Sequence, residues 1–169
     1  MKLTVRQIAL YAMLGATMYS TKLVTDMLPN INVLGAVTTA YTLVYRKQAL
    51  YPIYVFVLLT GLFSGFATWW LPYLYTWAVL WGVSMLLPRD VFDRSNRLLY
   101  MVTCCAYGLL FGTLYAPAQA LMYGLNFRQT LAWIAAGLPW DLVHGVSNFF
   151  MGFLIVPLAK LLLRLNQRL

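Results

Sequence analysis

Apolar residues dominate this chain so heavily that its sparse polar positions mark out the elements. Long apolar runs lie between short clusters of charge, proline and asparagine, and each run reads as one helical span. The first covers Val5 to Thr21 behind Lys2 and Arg6, and carries Ala9, Ala12, Gly15 and Ala16, small residues suited to close helix approach. A loop with Lys22, Asp26, Pro29, Asn30 and Asn32 follows. The second span, Val33 to Val44, ends at Arg46 and Lys47 and is too short to cross a bilayer upright, so Tyr41 and Tyr45 are expected in the interface. The third, Ala49 to Ala67, takes Pro52 in its first turn, where proline costs little, and pairs Gly61 with Gly65 as a GxxxG approach face. Thr68 to Pro72 is an aromatic turn, in which Trp69 and Trp70, with Tyr75 beyond it, read as interfacial anchors.

The fourth span, Tyr73 to Leu87, puts Tyr73, Thr76, Trp77 and Leu80 on one face and stops at Pro88. Beyond the polar loop Arg89 to Arg97, the fifth runs from Leu98 to Tyr123. Tyr115, Gln119 and Tyr123 stand four apart on one of its faces, with Pro117 between them. The sixth runs from Leu131 to Ala159 and leads into a basic tail.

Composition turns this pattern into a class. With 62% hydrophobic and 9% charged residues, the chain is expected to be an all-α integral membrane protein. At about 20 residues per crossing, 169 residues fit a single domain, a compact bundle of about six transmembrane helices. The net charge of +8 raises the question of nucleic acid, but the positions of the charges answer it. Lys2, Arg6, Arg46, Lys47, Arg89, Arg94, Arg97, Lys160, Arg164 and Arg168 fall on one side of the alternating spans. Only Lys22 and Arg128 fall on the other. That asymmetry is a topology signal; it places both termini in the cytoplasm and leaves no nucleic-acid role. A basic start before an apolar run also outlines a signal peptide, but Tyr11, Thr17, Tyr19 and Ser20 make a poor apolar core. Cys104 and Cys105 are adjacent within a span and read as small packing residues.

Chemistry gathers in the last span. Asp141, His144 and Asn148 stand at i, i+3 and i+7 and so share a helical face, which Trp133, Gly137 and Trp140 extend toward the start. Ionisable groups at such depth cost several kcal/mol unless they meet partners or a cavity, so they are functional candidates. The plain alternative is that they hydrogen-bond neighbouring helices and hold the bundle together. The expected topology brings them to the outer half with Asn30, Tyr73, Trp77, Tyr115, Gln119 and Tyr123. Aromatic walls with a few hydrogen-bonding groups suit a small-molecule pocket. The chain has no P-loop, no GxSxG, no HExxH and no zinc spacing, so neither an enzyme nor a cofactor or metal is expected.

These residues resemble a family. The Ala12-Met-Leu-Gly-Ala16 segment is similar to the AxxxA docking motif of the substrate-binding S components of energy-coupling factor (ECF) transporters. Leu28-Pro29-Asn30, Tyr115-Ala-Pro117 and the stretch from Leu138 to Asn148 also look like that family. The resemblance covers the whole length, and its motifs are short. It implies a multi-pass subunit of the prokaryotic cell membrane that captures a vitamin-like, heteroaromatic solute on the outer face. A transmembrane coupling subunit and two cytoplasmic ATPases would supply the energy, and Ala12 and Ala16 would dock the coupling subunit. The pocket residues match no riboflavin-, thiamine- or biotin-specific pattern, which leaves the substrate open. Two other classes fit the same residues: a self-sufficient carrier in which Asp141 and His144 relay protons, and a structural membrane protein.

The charge asymmetry makes a direct forecast. In a chain freed of Cys104 and Cys105, a single cysteine at Asn126 should react with an impermeant thiol reagent on intact cells. One at Asn96 should react only after permeabilisation, and the opposite pattern would refute the orientation.

Overall fold

A computed structural model describes residues 3–27 and 31–168, with side chains as far as Asn166. Every regular element among them is a helix: α1 (Val5–Thr25), α2 (Leu34–Tyr45), α3 (Leu50–Ser64), α4 (Tyr73–Met85), α5 (Asn96–Leu109), α6 (Phe111–Tyr123), α7 (Phe127–Met151) and α8 (Ile155–Arg168). Short 3₁₀ turns at Arg46–Ala49 and Gly152–Leu154 join α2 to α3 and α7 to α8. Three helical stretches, Leu34–Ser64, Asn96–Tyr123 and Phe127–Asn166, are long and apolar enough to cross a membrane. The chain is thus a helical protein of membrane character.

Local chemistry sets the helix ends. Thr4 and Gln7 form a reciprocal capping box at the start of α1, and Asn126 and Gln129 form another at the start of α7. Arg46, at φ 54°, leaves the helical region and turns the chain back after α2. Its guanidinium donates to the Met85 carbonyl, and its own carbonyl accepts the Trp81 indole N–H at 3.0 Å. Gly65, at φ 92°, ends α3 at Ser64 rather than at Ala67. The expected fifth span is two helices, with the joint at Leu110 (φ −97°, ψ 1°); α6 runs through Pro117 without a break.

Side-chain contacts order the rods. Tyr11 stacks on Tyr51 and Tyr19 on Phe63, so α1 and α3 run parallel. Tyr45 packs edge-on to Tyr11, and the Tyr41 hydroxyl donates to the Leu14 carbonyl, so α2 runs antiparallel to α1. The Trp70 indole donates to the Val57 carbonyl at 2.8 Å, and Trp81 reaches Arg46, which makes α4 antiparallel to α3. Thr39 links Ser84 with Cys104 while Trp77 meets Tyr107, so α5 reverses again. Gly112 meets Asp141, and Gly152 lies on Met101; α7 therefore runs back along α5 and α6.

The centre of this arrangement is α2, in which every residue except Val44 is buried. A helix apolar on all sides belongs inside others, and α2 contacts α4, α5 and α8 around its circumference. Tyr41 and Tyr45, expected at a membrane interface, are instead 4% and 9% exposed and form part of the core with Tyr11. The GxxxG expectation also fails. Gly61 receives the rings of Phe66 and Trp70 from the turn just beyond its own helix, and Gly65 faces open space. The small residues of α1 divide: Gly15 is buried against Val55 and Pro52 of α3, while Ala9, Ala12 and Ala16 face outward. Trp70 and Tyr75 spend their polar atoms on protein carbonyls, at Val57 and Leu114. Cys104 is a buried packing residue and both cysteines are free, in keeping with the sequence.

The closest passage lies between α5 and α7. A Cβ on Gly108 would stand 2.8 Å from Asn148 Nδ2, Gly145 Cα and the His144 carbonyl oxygen, two of them backbone atoms that cannot swing away. Gly108→Ala should therefore destabilise the purified protein by about 1–3 kcal/mol. Gly82→Ala, which meets nothing within 4 Å, should raise the melting temperature slightly through helix propensity. Thermal melts of the two variants provide the check, and equal melting temperatures would refute the packing.

Candidate functional site

The stripe that α7 carries into the bundle is built by its period. Trp133, Gly137, Trp140, Asp141 and His144 recur at three- and four-residue steps and line one cavity of about 310 Å³. Phe111, Gly112 and Tyr115, from the first turns of α6, form the facing wall. Tyr73, at the start of α4, and Asn32, just before α2, close the remaining sides. Trp140 is 64% exposed, so the aromatic wall continues to the surface. The volume lies at the small end of ligand pockets, about 300–1,000 Å³.

Asp141 is the polar centre of this cavity and is only 6% exposed. Its Oδ1 accepts the Gly112 backbone N–H at 3.0 Å. Gly112 lies in the first turn of α6, where a backbone N–H has no partner within its own helix. The carboxylate thus caps α6 from a neighbouring helix, at the end where the helix dipole favours negative charge. Gly112 is what permits the approach, because a Cβ there would land on the carboxylate. Asp141 Oδ2 is buried and has no hydrogen-bond partner among the described residues.

Rings surround this acid. Phe111 lies 5.1 Å from the His144 ring and 5.6 Å from Tyr115, centroid to centroid. The Tyr115 hydroxyl donates to the Trp69 carbonyl, and the Tyr75 hydroxyl donates to the Leu114 carbonyl at 2.6 Å. These two bonds tie α6 to α4 and the turn before it, which fixes the facing wall. The arrangement can hold a flat molecule between rings and offer it one acceptor of high charge density.

Six of the residues expected from sequence meet here: Asp141, His144, Trp133, Trp140, Tyr115 and Tyr73. Others lie elsewhere. Asn148, 1% exposed, sits deeper between α7, α2 and α5, where its amide donates to the His144 carbonyl at 3.0 Å and rests against Gly35 and Gly108. Trp77 is core, edge-on to Phe56 and Tyr73. Gln119 is half-buried on α6 outside the lining. Tyr123 is exposed at the end of α6, its hydroxyl 3.1 Å from that of Thr68. Asn30 lies outside the described residues. Ala12 lines a separate apolar groove between α1 and α3 with Tyr51, Tyr54 and Leu58, and Ala16 is exposed one turn further on.

Sequence reasoning did not select Phe111 or Gly112. The run Gly108-Leu-Leu-Phe-Gly112 held a signal, two glycines flanking the joint of a long apolar segment, but Pro117 nearby is the stronger breaker on paper. No group of three His, Cys, Asp or Glu suited to a metal ion occurs among the described residues. Comparison with protein-family models, with characterised proteins and with solved structures returned no match.

Two glycines of the lining separate crowding from mere position. Gly112→Ala should push the Asp141 carboxylate off its N–H and lower the melting temperature. Gly137→Ala, with nothing within 4 Å of its Cβ, should leave it unchanged or slightly raised. Equal melts for the two would contradict the capping contact.

Proposed function

We propose that this chain is a non-enzymatic, membrane-embedded solute-binding subunit, similar to the S components of ECF transporters, that captures a small vitamin-like heteroaromatic compound. The observation that carries the reading is the cavity itself, in which a buried carboxylate with a free oxygen and an imidazole stand among five aromatic rings. Membrane-depth acids are expensive, and one that lines a cavity with its second oxygen unpaired among the described residues is better explained by binding than by helix packing alone. Oδ1 alone makes the structural contact with Gly112, and that contact does not account for the imidazole and the rings gathered around the same acid.

In this reading the alternating rods make six crossings of a prokaryotic cell membrane, with both termini and the Arg89–Arg97 loop in the cytoplasm. The cavity, beside the starts of α2 and α4, then opens toward the outer face. Release inward requires partners: a transmembrane coupling subunit and two cytoplasmic ATPases. The outward-facing Ala12 and Ala16, beside the apolar groove between α1 and α3, support docking of the coupling subunit there.

Native mass spectrometry of the purified chain should reveal a bound small molecule. His144→Ala should lose that molecule while it keeps its melting temperature, and liposomes holding the chain alone should not accumulate solute under a proton gradient. An empty cavity in the natural chain, or a His144→Ala variant that loses stability but not ligand, would return these residues to a structural role. Gradient-driven uptake by the chain alone would make it a carrier.

A further inference from the structure

The charge of the cavity narrows the chemistry of its guest. Among the described residues, its lining contains one acid, Asp141, and no Lys or Arg. His144 does not neutralise that acid: the one ion pair among the described residues is Lys22 with Asp26, at the end of α1. Arg128, the other basic residue expected on this side, is exposed in the first turn of α7 and off the lining. Asp141 is 6% exposed, with Oδ1 held by Gly112 and Oδ2 free. An ionised carboxylate buried in this way needs a cation or a strong donor, and an anion would meet repulsion with nothing to offset it. The walls point the same way. Tyr73, Phe111, Tyr115, Trp133 and Trp140 present π-systems whose negative faces attract a cation.

We infer that the solute is a small, flat organic cation bearing N–H groups, of the amidinium or protonated amino-heterocycle class. Its charge pairs with the Asp141 carboxylate, and its ring lies against the aromatic walls. The N–H requirement is separate from the charge requirement: a quaternary ammonium would satisfy the rings but leave Oδ2 without a hydrogen bond. A cavity of about 310 Å³ limits the guest to one or two rings. This inference rests on the reading of the cavity as a solute site.

Four probes of nearly equal size separate the claims: benzamidine, a cation with N–H groups; phenyltrimethylammonium, a cation without them; neutral benzamide; and anionic benzoate. Calorimetric titration of the purified full-length chain near neutral pH should rank benzamidine first, at least tenfold tighter than benzamide, with phenyltrimethylammonium between and benzoate last. Asp141→Asn should bring benzamidine down to the benzamide level and leave benzamide itself unchanged. The ranking on the natural chain stands as a test even if that variant does not fold. Benzamide or benzoate binding as tightly as benzamidine would overturn the cation class, as would a benzamidine preference that survives in Asp141→Asn. Phenyltrimethylammonium equal to benzamidine would overturn the N–H requirement. If neutral or anionic probes win and Trp133→Ala abolishes their binding, the solute site stands and only the cation class falls. If none of the four binds, the cation class falls, and the solute site falls with it unless mass spectrometry shows a co-purified guest.

Discussion

The bond from the Gly112 N–H to Asp141 is the contact on which the site depends. It joins the start of one helix to the middle of another, and each side supplies what the other lacks. The first turn of α6 has an amide hydrogen without a helical partner, and α7 has a carboxylate that its apolar surroundings would otherwise strand. The joint at Leu110 exposes that amide. Without it, α5 and α6 would form one continuous helix, the Gly112 amide would bond within it, and Asp141 would lose its anchor. The joint, the glycine and the acid are one device.

The device also divides the acid's two oxygens. Oδ1 is committed to the backbone and sets the carboxylate's position, while Oδ2 is left buried with no hydrogen-bond partner among the described residues. A group held in this way loses little further freedom when it engages a guest. The hydroxyl bonds of Tyr115 to Trp69 and Tyr75 to Leu114 extend the same rigidity to the opposite wall.

The α7 half of the site was legible in the sequence because polar residues at helical spacing stand out against an apolar run. Trp133, Trp140, Asp141 and His144 declared their shared face without any partner helix. Of the α6 half only Tyr115 was legible, because that half's key atom is a backbone N–H, which no side-chain pattern reports. Phe111 and Gly112 gain their meaning only from a joint that local sequence marks weakly, while Pro117, the obvious breaker, is accommodated within α6. The same limit hid the role of α2. A twelve-residue run, apolar but for three threonines, reads as a marginal crossing, and nothing within it says that other helices enclose all its sides. Gly61 and Gly65 misled for a related reason. One accepts rings from its own turn and the other ends the helix, and spacing alone does not separate those uses from helix pairing.

The enclosure of α2 has a consequence for how the chain is made. At about 1.5 Å per residue, α2 is some 18 Å long, short of a hydrocarbon core about 30 Å thick. It therefore has little reason to enter a bilayer alone. The surfaces that cover α2 come from α4, α5 and α8, and α8 follows α2 only after several intervening helices. The core helix must then wait, partly uncovered, while more than a hundred further residues are synthesised, as follows from the positions of α2 and α8. Assembly is governed by contacts far apart in sequence and requires α8, so loss of α8 would strike the centre of the protein rather than its edge.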